Sequence, residues 1–405
     1  MNPYFEKLGR AVAEQWQQQN FSLDAFPEIA QRAMQDADAP PSENLPLAEM
    51  IQEFLSNDAQ PPQSHSGFGQ PELIAFSDPR FYIQILFWME GTTKIHQHGF
   101  SGAFHVMHGS SVHSEFEFNN AKSITPHLRV GDLQLKQIEL LETGRTIPIQ
   151  SGRKCIHSLF HLDSPSVTVV IRTQHDPGTD PQFNYLPPHL AIDPNHTDAL
   201  TMKRNQLLDV LETIEPSNCV SQIIEMLEKL DFERGFHTLQ HNMDRLQETG
   251  AWENAITTFQ NKHGELAAGI PATLAEHQRR EYISQLRHYI ENPEHRFFLA
   301  LLMNIQNGKD IATLITKRFP NQPAEDTILR WAEELIEHSD YGLTFLDAEF
   351  PEHLGCPIKE QFELFLDTLK CSIKTEQDSQ TPILTPEQTE IEEALANSCL
   401  RPLLL

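Results

Sequence analysis

The stretch ILFWMEGTTKIHQHGFSGAFHVMHGSSVHSEF (85–116) decides how this chain is read. It begins inside FYIQILFWM (81–89), a charge-free run rich in aromatic and β-branched residues between DPR and EGTT. Such a run predicts a buried strand. After a turn comes His96-Gln97-His98. On a strand, residues i and i+2 share a face, so both imidazoles can reach one metal ion. A third ligand then has to come from a neighbouring strand. His157, in RKCIHSLFHL (153–162), is the best-placed candidate because it too enters a β run. Three neutral imidazoles on one face leave about three open positions of an octahedron, as redox iron chemistry with O2 and a chelating substrate requires.

Outward from this stretch, AFHVM (103–107), SVHSEFEF (111–118), LQLKQIELL (133–141), RTIPIQ (145–150) and SVTVVIRT (166–173) read as short strands separated by Gly, Asn, Asp and Ser. Their regular spacing predicts an antiparallel sandwich or barrel over residues 70–190. Residues 1–69 read as a helical segment and linker, with Phe5, Leu8, Val12 and Trp16 at helical spacing. ADAPPSENLP (37–46) reads as a loop, and 57–71 as a linker. Residues 191–405 read as an all-α domain. LLDVLETI (207–214), VSQIIEMLEKL (220–230), RREYISQLRHYI (279–290), HRFFLALLMNIQ (295–306), EDTILRWAEELIEH (325–338) and EQFELFLDTLK (360–370) carry apolar residues three or four apart. Pro271, Pro293, Pro320 and Pro323 are expected between these helices, and 374–387 as a flexible linker. The fold class expected is therefore α+β.

The charge supports this division. The chain of 405 residues carries a formal charge of −27, yet residues 70–190 hold a near-balanced 11 acids and 9 bases together with 10 of the 20 histidines. Acidic flanks repel phosphate backbones and anionic lipid, which argues against nucleic acid or a membrane surface as partner. No apolar run approaches the roughly 18–20 residues of a membrane span. The five cysteines lie far apart with no CxxC, and the N-terminus lacks the regions of a secretory signal. A reducing cytoplasm is the expected compartment.

The HxH pair, Gly109 and the later strand histidine resemble the two motifs of the cupin superfamily. More specifically, ILFWMEGTTKIHQH followed by GAFHVMHG, and then CIHSLFHLDSPSVTVVIR, resembles its cysteine dioxygenase-like branch over about residues 73–177. The resemblance implies a jelly-roll barrel in which His96, His98 and His157 bind Fe(II). It also implies O2 and a small carboxylate-bearing amino acid or thiol as reactants. General cupins place a Glu ligand a few residues after HxH; here that position falls on Gly102 or Ala103, as in the three-histidine thiol dioxygenases. The branch's Ser-x-His-x-Tyr alternation falls on Thr168, Val170 and Arg172, and no arginine stands at the family's distance before Trp88. By alternation with Thr168, Arg172 is expected to point into the barrel, where its fork can pair a substrate carboxylate.

Other residues have two readings each. His161 shares the His157 face and reads as a substitute ligand or a substrate-facing acid/base, against a satisfied core histidine. His105 and His113 read as exposed or as supporting donors inside the cavity, and His108 as exposed. Cys155 reads as a small buried filler, and Tyr82 and Trp88 as packed core. His237 and His241 lie one helical turn apart but lack a third ligand. The rival functions are a non-oxidative isomerase or lyase using Zn, Ni or Mn, and a ligand-sensing or assembly protein. A helical domain of this size is expected to cap the barrel and complete the pocket, and to offer a surface for a protein partner or a second copy.

Overall fold

This computed structural model describes residues 2–36, 40–64, 68–337, 389, 396 and 398–404. The helix expected at 360–370, the linker at 374–387, and Cys356 and Cys371 lie outside the described residues. Helices α1 (Pro3–Gln18), α2 (Phe26–Gln35), α3 (Pro41–Asn44) and α4 (Leu47–Ser56) come first. Strands β1 (Glu72–Ser77), β2 (Phe81–Trp88), β3 (His96–His98), β4 (Gly102–His108), β5 (Ser110–Thr125) and β6 (Leu128–Glu142) follow. After them come β7 (Thr146–Ile149), β8 (Gly152–His161), β9 (Ser166–Thr173), β10 (Asn184–Leu186) and β11 (Leu190–Ile192). From Ala199 to Glu337 the chain is helical. The helices used below are α5 (Ala199–Ile214), α6 (Pro216–Lys229), α7 (Phe232–His241), α8 (Met243–Glu248), α9 (Trp252–His263), α10 (Ile270–Tyr289), α11 (Pro293–Asn304), α12 (Gly308–Arg318) and α13 (Ala324–Glu337).

All strand pairs are antiparallel. One sheet has the order β1-β2-β9-β4-β7, and the other, β10-β11-β6-β5-β8-β3, closes on itself where His96 pairs with Asn184. The class is α+β, with an antiparallel β-barrel between the helices of residues 3–56 and, among the described residues, the helices from Ala199 on.

The pattern of β2 has a direct physical cause. Phe81, Ile83, Ile85 and Phe87 face outward into a core with Phe5, Leu8, Trp16 and Phe26 of α1 and α2. Gln84, Leu86 and Trp88 face the barrel interior. With both faces covered, no position favours a charge. The opposite sheet is covered in the same way: Val112, Phe160 and Leu162 pack with Phe298, Leu301 and Trp331 of α11 and α13. Leu128, Leu186 and Leu190 pack with Ile223, Phe236 and Phe259 of α6, α7 and α9. Helices thus sheathe the barrel on two sides, and no described helix is long and apolar enough to cross a membrane.

Three expectations change. The segment NNAKSITPHLRVGD (119–132), expected as punctuation, is the far end of the β5–β6 hairpin, with Asn119 opposite Asp132 and Lys122 opposite Val130. Much of it is exposed on both faces and interrupted by bulges, so it carries no alternation to read. Pro41–Asn44, expected as loop, forms a single helical turn. Pro271 and Pro293 stand in the first turns of α10 and α11, where a helix needs no N–H from them.

Candidate metal centre

Pairing of β3 with β8 sets His96 opposite His157, and a register shift after Gln97 swings His98 toward the same point. The ligand nitrogens of His96, His98 and His157 all lie within 4.8 Å of one another. The three residues are only 5%, 5% and 3% exposed. Burial lowers the pKa of all three; repulsion from His96 and Arg172 pushes His98 lower still, and repulsion from His96, His98 and His113 does the same to His157. At neutral pH they are uncharged, the form that ligates a metal. His96 Nδ1–H donates to the Lys94 carbonyl at 2.7 Å, which leaves Nε2 as its lone-pair nitrogen.

The donor set fits a metal ion. His98 Nε2 and His157 Nε2 stand 2.9 Å apart. Two imidazoles at right angles on one ion, at about 2.1 Å each, would be about 3.0 Å apart. His98 Nδ1 is buried without a hydrogen-bond partner, a sign that the ring is placed for its other nitrogen. Of the two positions on which a Glu ligand after HxH would fall, Gly102 is sterically barred, since a Cβ there would lie 2.0 Å from the Ile171 carbonyl oxygen, and Ala103 offers no ligand atom.

Behind His157 runs a polar chain. His157 Nδ1 and His113 Nε2 share a hydrogen bond of 2.9 Å. His113 Nδ1 faces Glu139 Oε1 at 3.6 Å, and Arg145 donates to Glu139 Oε2 at 3.1 Å. The His113 ring and Arg145 hold the Glu139 carboxyl below its ordinary range. With His157 Nε2 on a metal, its Nδ1–H donates to His113, whose own proton then sits on Nδ1 toward Glu139. In that tautomer His113 has no lone pair left for a second cation, although His113, Glu115 and Glu139 also lie close together. Replacing His113 by alanine is expected to weaken metal binding about 10–100-fold. Competition against a chelator of known affinity measures it, and an unchanged affinity would remove His113 from the site.

A cavity of about 280 Å³ opens onto the three histidines. Its walls are largely apolar, with Leu86, Trp88, Phe100 and Phe104 among them. Arg172 reaches into it, as alternation with Thr168 predicts. Its guanidinium lies 3.4 Å from the Phe100 ring centroid and 5.1 Å from that of Tyr82. Phe100 in turn packs on His98 at 4.5 Å between ring centroids, so the cation and the imidazoles share one wall. Among the described residues Arg172 makes no ion pair; its hydrogen bonds are to the Thr173 and Gln174 carbonyls, both at 3.4 Å. Burial lowers its pKa, while Tyr82, Glu72 and Asp176 counter this through space. Tyr82 and Trp88, expected as plain core, both face this cavity. The C-terminal helices, expected to complete it, supply none of its described lining; Ser64, Phe68 and Glu72 do so instead.

The remaining candidates sit elsewhere. His161 is fully buried in the barrel, stacked on Trp88 at 4.6 Å and bonded to Ser111 Oγ at 2.9 Å, but it neither lines the cavity nor joins the histidine cluster. His105 points outward, to Thr146 Oγ1 at 2.8 Å and Ser42 Oγ at 2.9 Å, while His108 is exposed. His241 is taken by Asp209 at 3.0 Å. Cys155 is partly exposed, and it does not line the cavity.

Burial pushes His161 down to about 3 and His105 to about 4, both below the ordinary 6.5. The unfolded chain therefore takes up these protons first, so the contribution to stability is complete above the unfolded value and is lost as pH falls toward the folded one. The melting temperature is expected to drop between about pH 6.5 and 4.5. A His105→Gln variant should flatten that drop; an equal slope in both proteins would contradict the assignment.

No family model and no curated protein matches the chain. Solved structures resemble part of it. Hydroquinone 1,2-dioxygenase from Sphingomonas sp. TTNP3 is 8% identical, with 27% of this chain and 68% of that one covered and a TM-score of 0.21. KdgF from Halomonas sp. is 16% identical, with 30% and 93% covered and a TM-score of 0.21. DMSP lyase DddQ from Ruegeria pomeroyi DSS-3 is 15% identical, with 44% and 95% covered and a TM-score of 0.24. The fold assignment rests on the strand order and the closure of the barrel.

Proposed function

We propose that this protein is a mononuclear non-haem iron oxygenase of the cysteine dioxygenase-like cupin kind. Its reactants are O2 and a small amino acid or thiol bearing a carboxylate. The observation that carries the reading is the junction of three buried, uncharged imidazoles with an unpaired guanidinium in one 280 Å³ cavity. His96, His98 and His157 hold the Fe(II), which when bound supplies open positions for both reactants and the electron transfer between them. Arg172 receives the substrate carboxylate in its fork, with the Phe100 and Tyr82 rings fixing the guanidinium plane. Burial raises the Tyr82 pKa, so the phenol keeps its proton and faces the substrate as a donor. Leu86, Trp88, Leu159 and Val170 exclude water. His113 and Glu139 keep the His157 proton on Nδ1 and the ring in one orientation.

Protein purified without air should contain about one iron per chain and consume O2 with a member of a panel of small thiols and amino acids. Arg172→Gln should raise KM about tenfold or more while leaving the metal content unchanged. Turnover of a panel member without O2 consumption would replace this reading with the isomerase or lyase. A protein without metal would overturn both in favour of a sensing or assembly role. We place the protein in the cytoplasm, where Cys155 and Cys219 stay thiols.

A further inference from the structure

A second cavity, of about 260 Å³, opens where the barrel meets the C-terminal helices, and it shares no lining residue with the first. One wall is apolar, with Phe116, Leu133 and Pro187 from the barrel. The other carries three guanidinium groups, Arg279 and Arg280 of α10 and Arg401, with Glu276 the one acidic residue of the described lining. Glu276 matches Arg279 in a bidentate pair at 2.8 and 2.9 Å. Among the described residues, neither Arg280 nor Arg401 has a carboxylate at ion-pair distance; Glu276 acts on both only through space, as Glu281 does on Arg280.

Helix capping explains part of this. Arg279 donates to the Leu302 carbonyl at 2.9 Å, and Arg280 Nη1 to the Met303 carbonyl at 2.5 Å, both at the end of α11. Capping gives no reason for Arg401 beside them, nor for a cavity in front of them. A surplus of two positive charges here stands out in a chain of charge −27. Burial, with Arg279 alongside, pulls Arg280 down to about 10 even though Glu276 and Glu281 oppose this through space, a cost that an anion in contact would relieve.

We propose that this cavity binds a small organic anion. A carboxylate or phosphate head lies between Arg280 and Arg401, and an apolar body rests against Phe116, Leu133 and Pro187. Asn304 links the cavity to the barrel: it accepts from Arg280 Nη2 at 3.3 Å and from Ser158 Oγ at 3.5 Å, next to His157 on β8.

Calorimetric titration of the full chain with benzyl phosphate, phenylacetate and benzyl alcohol tests the proposal. Saturable binding of at least one anion and none of the neutral alcohol is expected, and the tighter anion identifies the head group. Arg401→Glu, at an exposed position that the fold does not need, should weaken binding about tenfold or more, as should Arg280→Gln. Arg172→Gln, in the other cavity, should leave it unchanged. Absence of saturable anion binding would overturn the proposal. So would binding that survives Arg401→Glu, or binding that is lost in Arg172→Gln.

Discussion

His96→Ala will remove the metal: content should fall from about one equivalent to a trace when both proteins are purified together without air. The cluster has three nitrogen ligands, all on two paired strands, and Gly102 cannot be replaced by a larger ligand-bearing residue. With His96 gone, His98 and His157 remain, two neutral donors too few for a stable site. Loss of a supporting partner alone costs about 10–100-fold in affinity, and loss of a ligand exceeds that. The fold should survive, because the ring's own hydrogen bond is to the carbonyl of Lys94, an exposed residue. An unchanged melting temperature of the metal-free proteins checks that point. Full iron retention in the variant would end the metal assignment.

The second large effect is on stability. Arg287→Met should destabilise the protein by about 3 kcal/mol. Arg287 is 0% exposed in the seam between α10 and the barrel. Its Nη1 donates to Glu90 at 2.6 Å and its Nε to the His161 carbonyl at 2.9 Å, while Phe160 lies under the guanidinium at 5.8 Å. Breaking a fully buried pair costs roughly 3–5 kcal/mol. The lower end applies here because Glu90 is 37% exposed and can rehydrate. Denaturant unfolding of the variant measures the change, and Glu90→Gln, which leaves the fully buried guanidinium without its counter-charge, should lose at least as much. A value within about 0.5 kcal/mol of the parent would show that the seam is held by apolar packing alone.

The parts of this molecule legible in its sequence are those where burial leaves a period. Strand β2, the HxH pair and the inward turn of Arg172 follow from alternation, and helices α10, α11 and α13 from their apolar stripes. The assignment of His157 as third ligand came from resemblance as much as from pattern, and strand register brings it opposite His96. Glu139 was not legible as a supporting group, since its link to His113 arises only through β5–β6 pairing. Alternation gave His161 the right face but could not tell that Trp88 would cover it. The aromatic content of β2 hid Tyr82 and Trp88 in the same way, because a cavity wall and a core wall favour the same side chains. The β10–β11 pair, three residues per strand, is too short to leave any period.

The double-sided burial of β2 also bears on how the chain is made. A charge-free window such as FYIQILFW is prone to self-association while its partners are missing. Its ladder partner β9 leaves the ribosome about eighty residues later, since Leu86 pairs with Thr168. The outer cover, Phe5 to Met34, is synthesised before β2. The N-terminal helices are thus available to cover one face of β2 before the rest of the barrel is made.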